Sequence, residues 1–125
     1  MHLIGPVTKR AHDKEIIKLE KFVITGGKPL HGAVTISGAK NAAVGILPAT
    51  ILAADVCVIE NLPDISDVAV SLKILSVLGA KVRMLNKNTY EIDTTHLTGT
   101  NVPDDLSRQM RASYYFLGAL LSRFG

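Results

Sequence analysis

The run "KNAAVGILPATILAAD", Lys40 to Asp55, constrains the fold more than any other part of the chain. From Ala42 to Ala54 it carries no charged side chain, so it belongs in an interior. Pro48 interrupts it, and it falls short of the roughly 20 apolar residues that a membrane span needs. A buried helix from Lys40 to about Ala54 satisfies these limits, with a kink or a local irregularity at Pro48.

The segments around this helix alternate between strand and helix patterns. "EKFVIT", Glu20 to Thr25, reads as a short strand closed by Gly26, Gly27 and Pro29, and "AVTIS", 33–37, alternates as a strand does. After the helix come a β-branched strand over 56–60 and a turn at Pro63-Asp64. Ser66 or Asp67 then suits the N-cap of a second helix. That helix places Val68, Leu72, Leu75 and Leu78 on one stripe, with Gly79 positioned to end it. "KVRML" (81–85) and "TYEID" (89–93) read as a hairpin around "NKN". Pro103-Asp104-Asp105 starts a last helix that is expected to run to the chain end, with Leu106, Met110, Leu117, Leu121 and Phe124 on its buried face. From residue 33 the order is strand, helix, strand, helix, strand, strand, and then a new strand and helix begin. "LLSRFG" ends a helix with nothing after it to cover the buried face, so the chain reads as cut inside a second unit.

Charge and cysteine content narrow the function classes. The 125 residues suit one domain, and 47% hydrophobic residues supply a real core. Residues 1–28 hold six basic groups against three acidic ones, while the other 97 hold eight of each sign. The net charge of +3 therefore belongs to the N-terminal end, which reads as a solvated leader and not as a nucleic-acid or membrane surface. A single cysteine, Cys57, allows no internal disulfide and suits a reducing compartment. It alternates within a hydrophobic strand, as a structural thiol would. The opening residues lack the apolar core of a secretory signal, so the chain reads as soluble and cytoplasmic. His2, His12, His31 and His96 are scattered without ligand spacing, which leaves no metal site.

Two places have the chemistry to bind an anion. "SGAKNA" sets Lys40 and Asn41 just after a glycine at a helix start, where free N–H groups and the dipole favour negative charge. Taken alone, this pattern equally describes a first-turn lysine in solvent. Arg111, in "RQMRASYYF", borders the apolar stripe and is followed by the small residues Ala112 and Ser113. Small neighbours admit a ligand, and arginine can grip a carboxylate or phosphate through two parallel bonds. A surface arginine is the plainer reading. Asp64, Asp67, Asp104 and Asp105 read as caps and turns.

Together these residues carry a resemblance. "KFVITGGKPLHGAVTISGAKNAAVGILPATILAAD", "ENLPDISDV" and "LSRQMRASYYFLGALLSRFG" closely resemble the N-terminal part of the UDP-N-acetylglucosamine 1-carboxyvinyltransferase family of bacterial enolpyruvyl transferases, over about residues 20–125. The sister family, enolpyruvylshikimate-phosphate synthase, would show Gly-Ser-Lys-Ser where this chain has Gly38-Ala39-Lys40-Asn41. The resemblance implies an α/β fold, the inverted α/β barrel. It has two domains of βαβαββ units with the active site between them, and this chain supplies one complete unit and part of the next. Residues 1–19 would be a flexible leader, 20–32 an opening strand and turn pairing within the other domain, and 33–125 the first part of the transferase domain.

The implied reaction moves enolpyruvyl from phosphoenolpyruvate to the 3′-hydroxyl of UDP-N-acetylglucosamine and releases phosphate, committing carbon to peptidoglycan. It uses no metal or other cofactor. Its partners are those two substrates, with no nucleic acid and no membrane. Lys40 would contact phosphoenolpyruvate, Asn41 the sugar nucleotide, and Arg111 with Ala112 would line the cleft. The family's reactive cysteine and its base lie beyond the segment matching Gly125, and Cys57 is not that cysteine. No catalytic residue is therefore expected within the chain, and no turnover from it alone. Two other readings remain: an enzyme like the shikimate-phosphate sister, or a non-catalytic piece that binds nucleotide sugar or protein.

Overall fold

The helix expected from the apolar run forms as α1, Lys40–Ala53, and it continues through a buried Pro48. The computed structural model describes residues 21–125. The chain divides into two units, 1–34 and 35–125. The leader expected over 1–19 lies outside the described residues.

Within the first unit, the strand expected over 20–25 does not form at its described residues, 21–25. Phe22 is 94% exposed and Ile24 89%. The strand expected over 33–37 is likewise absent. An alternating segment becomes a strand only when a neighbour takes its N–H and C=O groups. Neither segment has such a neighbour among the described residues.

The second unit follows the expected order after that missing strand, except that the new strand expected before the last helix does not form. Residues 94–103 hold no strand, and the Thr98 and Gly99 N–H groups bond to the Leu78 carbonyl instead of to a neighbouring strand. It runs α1, β1 (Val56–Ile59), α2 (Ser66–Val77), β2 (Lys81–Asn86), β3 (Thr89–Asp93), α3 (Asp104–Gln109), a 3-10 turn (Arg111–Ser113) and α4 (Tyr114–Phe124). The hairpin strand β3 lies between β1 and β2 and pairs antiparallel with both, Val56 and Lys81 each standing opposite Asp93. Helix α2 packs against β2 and α1 against β1, while α4 packs on α1 and α3 on α2. Leu47 and Ile51 of α1, Ile74 and Leu75 of α2, Ile92 of β3 and Phe116 of α4 are all fully buried. Burying each such side chain contributes about 1.5–3 kcal/mol.

The stripe on α2 is buried as its spacing requires: Val68, Leu72, Leu75 and Leu78 all lie in the core. Gly79, at φ +102°, closes the helix; its N–H reaches the Ser76 carbonyl at 3.1 Å and the Ala80 N–H reaches that of Leu75 at 2.9 Å. This is the paired-bond C-terminal motif that a left-handed residue permits. The start of α2 departs from expectation. Ile65 is the N-cap and makes no side-chain cap bond, while Ser66 and Asp67 lie inside the first turn. The Asp67 carboxylate is turned toward Lys40 instead.

The last helix also departs from expectation, because it is broken. Met110 is extended (φ −136°, ψ 118°) and separates α3 from the 3-10 turn and α4. The break lets Leu106 and Met110 both bury, and it resets the helical phase beyond them. Phe116, Ala119 and Leu120 then face inward, while Leu117 and Leu121, expected inside, are 60% and 59% exposed, and Phe124 is exposed too.

Candidate substrate-binding site

Gly38 sets the approach to the site. A Cβ built on it would lie 2.0 Å from the Asn61 carbonyl oxygen, so only glycine lets the two backbones come this close. Ala39 follows as an N-cap with extended backbone and no side-chain cap bond, and its carbonyl accepts the first helical bond from Ala43 at 3.0 Å. The N–H groups of Lys40, Asn41 and Ala42 therefore have no acceptor within the helix, and they form the positive end of α1.

Lys40 Nζ lies 2.9 Å from Asp67 Oδ2, and Asn41 is exposed one residue on. Arg111 is exposed in the 3-10 turn after the Met110 break, and the half-buried Ala112 packs against the core. Among the described residues Arg111 has no carboxylate partner. The first two turns of α2 meet both the Lys40 side chain and Met110, the residue before Arg111. Asp67 holds Lys40, and Ser71, four residues on, places its Oγ 3.3 Å from the Met110 Sδ. Positions four apart share a helix face and are offset by about 6 Å along the axis. Lys40 and Met110 thus meet α2 one turn apart on the same face.

Sequence reasoning missed Asp67 and Ser71, reading the first as a cap and passing over the second. No local pattern links Lys40 to an aspartate 27 positions away. It also missed Arg123, whose guanidinium donates to the carbonyls of Ile51 at 2.9 Å, Thr94 at 2.7 Å and Thr95 at 3.1 Å. This arginine ties α4 to the end of α1 and to the segment after β3. Among the described residues no three His, Cys, Asp or Glu side chains gather as a metal site would require.

The family model of EPSP synthase (3-phosphoshikimate 1-carboxyvinyltransferase) matches residues 24–125. The chain belongs to the EPSP synthase family. Within it, the chain is 52% identical over 108 residues to UDP-N-acetylglucosamine 1-carboxyvinyltransferase 2 of Clostridium acetobutylicum, covering 86% of this chain and 26% of that protein. It is 54% identical over 106 residues to UDP-N-acetylglucosamine 1-carboxyvinyltransferase 3 of Caldanaerobacter subterraneus, covering 85% and 25%. The crystal structure of the enolpyruvyl transferase NikO from Streptomyces tendae superposes with a TM-score of 0.71 at 36% identity, over 80% of this chain and 23% of that one. This member of the EPSP synthase family spans about a quarter of the length of the curated relatives it matches. The family model bears the sister enzyme's description, whereas the relatives near half identity bear the nucleotide-sugar enzyme's name.

Proposed function

We propose that this chain is the opening part of an enolpyruvyl transferase that moves the enolpyruvyl group of phosphoenolpyruvate onto the 3′-hydroxyl of UDP-N-acetylglucosamine. One observation carries the reading: about half of the residues are identical to enzymes of that name over some 85% of the chain. Protonation of the enol carbon lets the hydroxyl oxygen bond to the adjacent carbon, giving a tetrahedral adduct. Loss of a proton and of phosphate then restores the double bond. In this reading the fold is the inverted α/β barrel, with 33–125 as the first part of one domain and 20–32 pairing within the other. The setting is the cytoplasm, in peptidoglycan synthesis.

Lys40 contacts phosphoenolpyruvate, Asn41 the sugar nucleotide, and Arg111 with Ala112 lines the cleft. The chemistry supports these roles. Both substrates are polyanions, a lysine ammonium is a compact charge suited to phosphate, and arginine offers two parallel donors. The positive end of α1 adds to the attraction.

The test is phosphate release from phosphoenolpyruvate, with UDP-N-acetylglucosamine and shikimate 3-phosphate offered separately as acceptors to the full-length enzyme carrying this segment. Release with the nucleotide sugar alone is the expected result. Release only with shikimate 3-phosphate would favour the sister activity that the family description names. Lys40→Ala is expected to lose phosphoenolpyruvate-dependent activity with the fold kept, and near-normal kinetics would return Lys40 to a solvent role. The 125-residue chain by itself is expected to show no turnover.

A further inference from the structure

A carboxylate 2.9 Å from the Lys40 ammonium cancels part of the attraction an incoming anion would feel. The geometry nevertheless leaves the cation usable. An ammonium has three N–H donors, and Asp67 Oδ2 takes one of them. The Lys40 side chain is 59% exposed and that of Asp67 only 18%, so the open side of the pair belongs to the lysine.

Asp67 is the better anchored of the two. It sits in the first turn of α2, where unpaired N–H groups favour its negative charge. Its main-chain carbonyl accepts from Ser71 Oγ at 2.8 Å, and the Ser66 hydroxyl lies 3.4 Å from its Oδ1. Lysine carries its charge on a flexible four-carbon stem, so an unheld Lys40 would spread over many rotamers. The same Ser71 that braces Asp67 also contacts Met110, next to Arg111. One face of α2 therefore meets Lys40 and the residue before Arg111.

We infer that Asp67 is a positioning residue that holds the Lys40 ammonium, so that the phosphate of phosphoenolpyruvate meets a cation already in place. This rests on the proposed role of Lys40. Ordering the lysine before the ligand arrives removes a cost that binding would otherwise carry.

The experiment compares Asp67→Ala, Asp67→Asn, Lys40→Ala and the double variant Lys40→Ala/Asp67→Ala in the full-length enzyme carrying this segment. Asp67→Ala is expected to raise KM for phosphoenolpyruvate about tenfold, the scale of losing one charge-assisted hydrogen bond. KM for UDP-N-acetylglucosamine is expected to stay put. Asp67→Asn keeps an oxygen that accepts from Nζ and is expected to fall between. In the Lys40→Ala background, removing Asp67 is expected to add nothing. An unchanged or lowered KM for phosphoenolpyruvate in Asp67→Ala makes the carboxylate a mere competitor and overturns the inference. A parallel rise in both KM values, repeated in the Lys40→Ala background, marks a folding defect and overturns it as well. Normal kinetics in Lys40→Ala alone would instead remove the site reading on which the inference stands.

Discussion

Replacing Gly38 by alanine tests how closely the start of α1 is held against the segment that leads into α2. The added Cβ would fall 2.0 Å from the Asn61 carbonyl oxygen, with Pro63 Cδ at 3.5 Å. A carbon meets an oxygen comfortably at about 3.3 Å, so one backbone has to give way by about 1.3 Å. Asn61 has little freedom to yield, since it is already in the left-handed region at φ 55° and the neighbouring Leu62 N–H is bonded to the Asn88 carbonyl at 2.9 Å. Overpacking of this kind costs about 1–3 kcal/mol. For a unit of this size, a 2 kcal/mol loss lowers Tm by about 8–16 °C. Gly45, inside α1, is the control, because its added Cβ meets nothing within 4 Å. Alanine there replaces a poor helix former and is expected to gain about 0.8–1 kcal/mol, raising Tm by several degrees. Thermal melts of both variants by far-UV circular dichroism, with urea midpoints alongside, read the contrast. A Gly38→Ala protein that melts at or above the parent temperature, while Gly45→Ala behaves as expected, would falsify the close approach.

Other consequences concern the seam after β3. Thr94 is fully buried and donates from Oγ1 to the Thr50 carbonyl at 2.8 Å. Thr94→Val keeps the shape but strands that carbonyl, at an expected cost of about 1–3 kcal/mol by urea denaturation; a parental midpoint would mean the bond adds nothing. Asp93 accepts from the Thr95 hydroxyl and N–H, which hold its carboxyl below the usual aspartate range, with Lys81 helping at 3.6 Å. Its folded pKa is lowered, so its stabilisation is present above the unfolded value of about 3.9 and is lost as pH falls through the folded value. Asp93→Asn is accordingly expected to melt lower than the parent near neutrality, with the gap closing as the pH is taken down through that range. A gap that stays constant in acid would contradict the assignment.

Much of the second unit was legible without coordinates, for a local reason. The span of α1, the buried stripe of α2, Gly79 as its stop and the β2–β3 hairpin all follow from periodicity and turn chemistry within a few residues. The misreadings all involve a distant partner. The segment 33–37 alternates as a strand does, yet nothing among the described residues pairs with it. The last helix is continuous by pattern, but Met110 turns extended to bury against Ser71, and every inward position beyond it shifts. Counting from a helix start that does not persist puts Leu117 and Leu121 inside, where the structure leaves them exposed.

The candidate site divides along the same line. By itself the sequence determined that Lys40 opens a helix whose free N–H groups attract anions, and that Arg111 lies among small neighbours. It also carried the identity with enolpyruvyl transferases. These properties reside in residue type and short spacing. Only the tertiary structure decided that Asp67 faces Lys40 and that Ser71 on the same helix face meets Met110, the residue before Arg111. The direction in which the side chains of α2 point is set by the core it buries, not by any pattern near Lys40 or Arg111.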